Sequence, residues 1–297
     1  MPLNRGGDYP TLEQSFKLTA RSPPHYRSHR STMTVFGDAG VALGNWRRMV
    51  GLCMGDYLAS KFQGSKLAAL LALAEPLLLL GALVMLRIVL KQSLHYYGTS
   101  MMVFYASGIF PYYFFLFVST RGNVARINLR GRLPGRMQLD YFFAVTLVET
   151  LIIGSTMILL FSVLWLMGFD EALPENLNLC LEAVILMIVF GMGVGLINQS
   201  VSKFFPLWSR VYGMLTRGMM FLSGVFVMPD MLPPQVRDLI VWNPLMHGIE
   251  WFRLGLYGQY PHLLLDPPYL AMCALSVLFF GLVCERAGIR SLGLRPR

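Results

Sequence analysis

The chain has 297 residues, 55% of them hydrophobic and only 14% charged, with a formal net charge of +9. Soluble domains carry about 25% charged residues, so this composition excludes an ordinary soluble enzyme. With a mean hydropathy of +0.53 it points to an all-α protein that crosses a membrane several times. Cys53, Cys180, Cys273 and Cys284 lie in apolar stretches with no CxxC pair. That is the placement of small buried hydrophobes, not of metal ligands or disulfides.

In chain order, residues 1–44 are polar and basic, without the early apolar core of a cleavable signal peptide. They read as a disordered tail. Residues 45–62 place Trp46, Met49, Val50, Cys53, Tyr57 and Leu58 on one helical face. Arg47, Arg48, Asp56 and Lys61 take the other, which predicts an amphipathic helix in the inner membrane interface. The first span covers 67–90 and contains Glu75-Pro76. The proline kinks it, and a carboxylate at that depth is expected to turn inward.

The second span covers 99–118 and carries Phe110-Pro-Tyr-Tyr-Phe-Phe115. Tyr112 and Tyr113 fit either an interfacial aromatic belt or a sugar-stacking surface in a channel. Residues 119–140 form a basic connection with Arg121, Arg126, Arg130, Arg132 and Arg136. The third span, 141–167, contains Glu149 and leads to a short acidic loop with Asp170, Glu171 and Glu175. The fourth, 179–201, contains Gly191-Met-Gly-Val-Gly195, small residues of the kind that let helices approach closely. A fifth span covers 211–228 and a sixth 268–284, and residues 286–297 form a basic tail.

Between the last two spans the chain is broken by Pro229, Pro233 and Pro234 into two short amphipathic pieces. Neither reaches the ~20 residues needed to cross a bilayer. Yet Trp242, Trp251, Phe252 and Leu254 are too apolar for a solvated loop. Such a segment lies in the outer interface or dips in and returns, where protein or a water-filled cavity satisfies its backbone. His247, Glu250 and Arg253 recur every third residue, opposite Leu245, Ile249, Phe252 and Leu256. The spacing allows hydrogen bonds along one face, either as a surface ion pair or as a triad shaping an outer gate beside Trp242 and Trp251. HxxE is not the HExxH zinc signature.

Lysine and arginine accumulate on the cytoplasmic side of membrane proteins. With both termini inside, 21 of the 25 fall on that side, the exceptions being Arg87, Lys91, Arg237 and Arg253. The positive charge is therefore topological and does not imply nucleic acid. Arg210 and Arg217, seven apart, share a face of the fifth helix. An arginine at the depth of Arg217 should face a cavity or a carboxylate. Glu149 is a partner for a structural ion pair. Alternatively Arg210 and Arg217 guide an anionic substrate.

No Ser-His-Asp pattern and no paired carboxylates on a rigid turn are visible, and Gly64-Ser65-Lys66 lacks the residue order of a P-loop.

The stretches GSKLAALLALAEPLLLL at 64–80, SGVFVMPDMLP at 223–233 and WNPLMHGIEWFR at 242–253 carry a family likeness. Over about residues 45–285 the chain resembles the permease subunits of bacterial ABC exporters for capsular polysaccharide, with O-antigen export permeases as relatives. The resemblance implies a multi-pass inner-membrane homodimer working with two copies of a separate ATPase subunit. ATP and Mg would bind that partner, leaving no cofactor in this chain. Arg126, Asn128, Arg130 and Arg132 would form the segment that couples to the ATPase, although positive-inside charge alone also accounts for them. The passenger would be a lipid-linked polysaccharide, and a periplasmic co-polymerase would meet residues 229–267. Open alternatives are an exporter of O-antigen, teichoic acid or a drug, and a membrane enzyme acting on lipid-linked sugar.

Overall fold

The computed structural model describes residues 50–55, 57–58, 66–90, 97–128 and 135–291. Among the described residues every regular element is helical. We number them α1 (Lys66–Leu90), α2 (Met101–Asn128), α3 (Gly135–Leu166), α4 (Leu177–Phe204), α5 (Trp208–Phe221), α6 (Pro234–Ile240), α7 (Pro244–Tyr257) and α8 (Pro267–Ser291). Proline opens α6, α7 and α8. At the first helical position its missing N–H costs nothing and its fixed φ suits the turn.

Among the described residues four helices are long and apolar enough to cross a membrane, over Met101–Thr120, Leu139–Leu166, Leu177–Phe204 and Pro267–Ala287. They match the second, third, fourth and sixth expected spans. The first expected span is helical throughout as α1. The fifth differs: α5 has 14 residues and stops at Phe221, about 21 Å at 1.5 Å per residue. The chain then turns at Gly224, whose φ of +73° is the left-handed conformation glycine alone adopts without strain.

The packing is organised on α2. Its apolar stretch Met101–Thr120 is 83% buried, against 17% for the stretch of α8. This corrects the reading of the Phe110–Phe115 aromatics. Tyr112 and Tyr113 are buried, neither in a belt nor open to a channel, because the central helix uses its aromatic rings to fill the space between helices. Phe115 stacks on Phe190 of α4, with ring centroids 5.4 Å apart. The Tyr112 hydroxyl donates to the Thr216 carbonyl of α5.

Two helices cross at backbone contact. A Cβ on Gly193 would lie 2.5 Å from the Leu278 nitrogen of α8, and one on Gly281 would lie 2.6 Å from the Gly193 carbonyl. A Cβ on Gly191 or on Gly195, a turn apart, would lie 3.0 Å from the carbonyl of Phe115 or of Val118 on α2. Alternate glycines of the Gly191–Gly195 motif thus seat α4 against two different neighbours. At the end of the same crossing Lys203 pairs with Glu285, 3.1 Å away, with both side chains buried.

Residues 50–55, 57 and 58 are helical. Cys53, Met54, Tyr57 and Leu58 pack on Tyr141, Val145, Val148 and Ile152 of α3. The acidic loop before α4 caps a neighbouring helix. Glu171 accepts from the backbone N–H groups of Thr99 and Ser100 at the start of α2, where a helix leaves donors unpaired.

Candidate functional site

The two pieces expected between the fifth and sixth spans exist as α6 and α7. Eleven of the 14 residues of α7 are buried, polar and apolar alike. It packs on α2, α4 and α8, so it is a helix sunk into the bundle and not one lying on its surface.

Arg253, the largest fully buried side chain, is the centre of the site. Its Nη1 donates to the Gly224 carbonyl at 2.8 Å and to Glu250 Oε1 at 3.1 Å. Nη2 donates to the Val225 carbonyl at 3.0 Å, and Nε reaches Ser107 Oγ at 3.4 Å. The guanidinium lies 4.0 Å over the Phe104 ring. A buried arginine survives when its charge and donors are matched in this way. Gly108 makes the room: a Cβ there would lie 2.8 Å from Nη2. Tyr260 donates to the same Glu250 oxygen at 3.0 Å.

The Arg253 contacts join three elements, the turn after α5, helix α7 and helix α2. Asn243 adds a second tie. Its oxygen accepts from the Leu245 N–H and so caps α7. Its Nδ2 donates to the Leu222 carbonyl at 2.9 Å, closing the other end of α5. The carbonyls of Leu222, Gly224 and Val225, in the turn after α5, are therefore satisfied by side chains of the returning segment.

Glu250 and Arg253 form the expected pair, but it is fully buried, which removes the surface reading. His247 does not join them. Three residues advance a helix about 300°, so the every-third pattern drifts and His247 stands about 120° from Arg253. Its Nε2 donates to the Val241 carbonyl at 2.8 Å, while Nδ1 accepts from the Asp266 N–H at 3.1 Å. Only a neutral ring can do both, and burial accordingly lowers its pKa below the ordinary 6.5. Because the folded value lies below the unfolded one, this contribution is present above about pH 6.5 and is lost as pH falls below it. The protection of the Asp266 amide relative to its intrinsic exchange rate is expected to fall on acidification below that point in the wild type and to lose that step in His247→Gln.

Trp242 is exposed and Trp251 is half-buried. Arg210 and Arg217 are exposed on α5, opposite the stripe of Tyr212, Thr216 and Met220 that packs inward. No ion pair joins Arg217 to Glu149. The Glu149 carboxylate is buried and accepts from Tyr57 in the preceding helical segment. Glu75 is likewise not turned inward but stands on the exposed face of α1. Arg126 and Asn128 lie in the last turns of α2, whose helix runs on into the basic connection. Positive charge there suits a helix C-terminus. Arg130 and Arg132 lie outside the described residues.

Sequence reasoning missed Asn243, Tyr260, Ser107, Tyr57 and Glu285. Asn243 directly before Pro244 is a readable capping signal. The others are partners only through long-range packing.

The model of the ABC-2 type transporter family matches residues 53–257, from the helical segment before α1 to the end of α7. The chain belongs to this family. The capsule polysaccharide export inner-membrane protein CtrC of Neisseria meningitidis serogroup B is 29% identical to this ABC-2 chain over 241 residues, covering 80% of it and 89% of the relative. The polysialic acid transport protein KpsM of Escherichia coli is 31% identical over 239 residues, covering 77% and 89%. The capsule polysaccharide export inner-membrane protein BexB of Haemophilus influenzae is 31% identical over 159 residues, covering 54% and 59%. Arg253, Glu250, Ser107, Gly224 and Val225 lie inside the matched region, and Tyr260 lies just beyond it.

Proposed function

We propose that this chain is the transmembrane subunit of an ATP-driven exporter that moves lipid-linked capsular polysaccharide out of the cytoplasm across the inner membrane. The observation that carries the reading is the ABC-2 family match together with one relative named for capsule polysaccharide export and one for polysialic acid transport, each matched along 89% of its length. The functional unit is two copies of this chain with two copies of a separate ATPase subunit, which holds ATP and Mg.

Six crossings place both termini in the cytoplasm. Helices α1, α2, α3, α4 and α8 cross as continuous helices, and α5 with its turn makes the fifth crossing. The α6–α7 pair folds back in from the outer side, where a periplasmic co-polymerase meets residues 229–267 and the exposed Trp242. The ATPase docks on the end of α2 and the residues just beyond it, through Arg126, Asn128, Arg130 and Arg132. Helix α2 is continuous to Asn128, so a push there is delivered to the most buried helix of the bundle. Arg210, near the start of α5, greets the passenger at the cytoplasmic entrance.

Co-purification tests the reading. Tagged permease is expected to bring down a P-loop ATPase as a stable complex. Reversing charge at Arg126, Arg130 and Arg132 together is expected to separate ATP hydrolysis from capsule export. Turnover of a lipid-linked sugar by the purified chain alone, with no ATPase bound, would sink it.

A further inference from the structure

Two charged side chains at membrane depth remain unused by the site. Glu75 is exposed on α1 and Arg217 on α5. Neither makes an ion pair or a hydrogen bond with any described residue. Lipid is a costly environment for both, and their charges are opposite.

They also sit at one level. The Tyr112 hydroxyl reaches the Thr216 carbonyl, one residue from Arg217. Arg87 of α1 lies 5.4 Å over the Tyr105 ring of α2, and Glu75, twelve residues back along α1, falls about 18 Å from it along the helix. Glu75 and Arg217 therefore both stand beside the second half of α2. Counting along the helices agrees: each lies nine residues beyond the first residue of its helix, about 13.5 Å. The two helices run the same way, since Arg87 near the far end of α1 donates to the Phe226 carbonyl just past α5, at 3.4 Å.

Each charge belongs to an exposed stripe with helix-packing spacing. On α1 the stripe is Glu75, Leu78, Ala82, Met85 and Val89, and on α5 it is Arg210, Met214, Arg217 and Phe221. Steps of three and four residues make a continuous face for another helix.

We propose that Glu75 of one copy pairs with Arg217 of a second copy, across a two-fold seam in which α1 of each packs on α5 of the other. Two-fold symmetry makes the pair twice, because each copy presents both charges. The inference rests on the homodimer of the proposed function and adds the residues that hold it.

The test uses the full chain with its ATPase, in two differently tagged copies. E75C on one copy and R217C on the other are expected to cross-link between tags. R217E and E75R are each expected to lower export and dimer recovery by at least roughly tenfold, and the swapped double variant to restore both. A dimer that forms normally but shows no cross-link between tags, with the swap as defective as either single change, would overturn the pair. Full export by R217E alone would overturn it too. Wild-type copies that fail to co-purify would instead remove the homodimer itself.

Discussion

Arg253→Met is expected to unfold the outer half of the protein and abolish export. The change strands Glu250 without its charge partner and leaves the Gly224 and Val225 carbonyls without their donors. Breaking one side of a buried pair costs about 3–5 kcal/mol, a large part of the stability of an ordinary domain. Arg253→Lys is expected to recover little, because an ammonium cannot reach two carbonyls and a carboxylate in one plane as the guanidinium fork does. Replacing both charges, Arg253→Met with Glu250→Leu, should be less damaging than Arg253→Met alone. Thermal aggregation of detergent-solubilised protein, with capsule export measured beside it, checks the order. If Arg253→Met aggregates at the wild-type temperature, the buried network does not hold the returning helix.

Gly193→Val is the second large expected effect. Its first side-chain carbon would fall 2.5 Å from the Leu278 nitrogen, and backbone cannot move aside as a flexible side chain can. Helices α4 and α8 would have to separate, opening a crossing also held by the buried Lys203–Glu285 pair. Overpacking costs typically 1–3 kcal/mol where side chains can shift, and more is expected here. Gly213→Ala and Gly218→Ala are the controls, because a Cβ on either α5 glycine meets nothing within 4 Å. Expression and folded yield should drop for Gly193→Val and hold for both controls. Equal yields across the three would mean that the helices are not in backbone contact.

The sequence shows where helices run better than it shows what they face. Spans two, three, four and six were legible because long apolar runs between charged connections have few other solutions. Helix α5 was overestimated because Leu222 to Met228 continue its apolar run while Gly224 turns the backbone. The aromatic run of α2 was misjudged for a related reason. Rings suit an interface or a core equally, and only the packing tells that α2 is central. Around Arg253, the Glu250 pairing was visible in the spacing. Its burial and its carbonyl partners were not, since Gly224 and Val225 lie 29 and 28 residues away. Glu149 showed the same limit, as Tyr57 lies 92 positions from it in sequence.

The contact between Gly193 and Gly281 has a mechanical consequence. Helices joined through their main chains have no layer of side chains to shear, so they neither slide nor roll on each other. Helices α4 and α8 therefore act as a fixed post. The swinging leaf of any gating stroke must be found elsewhere, in α1 and α5, which both pack on α2.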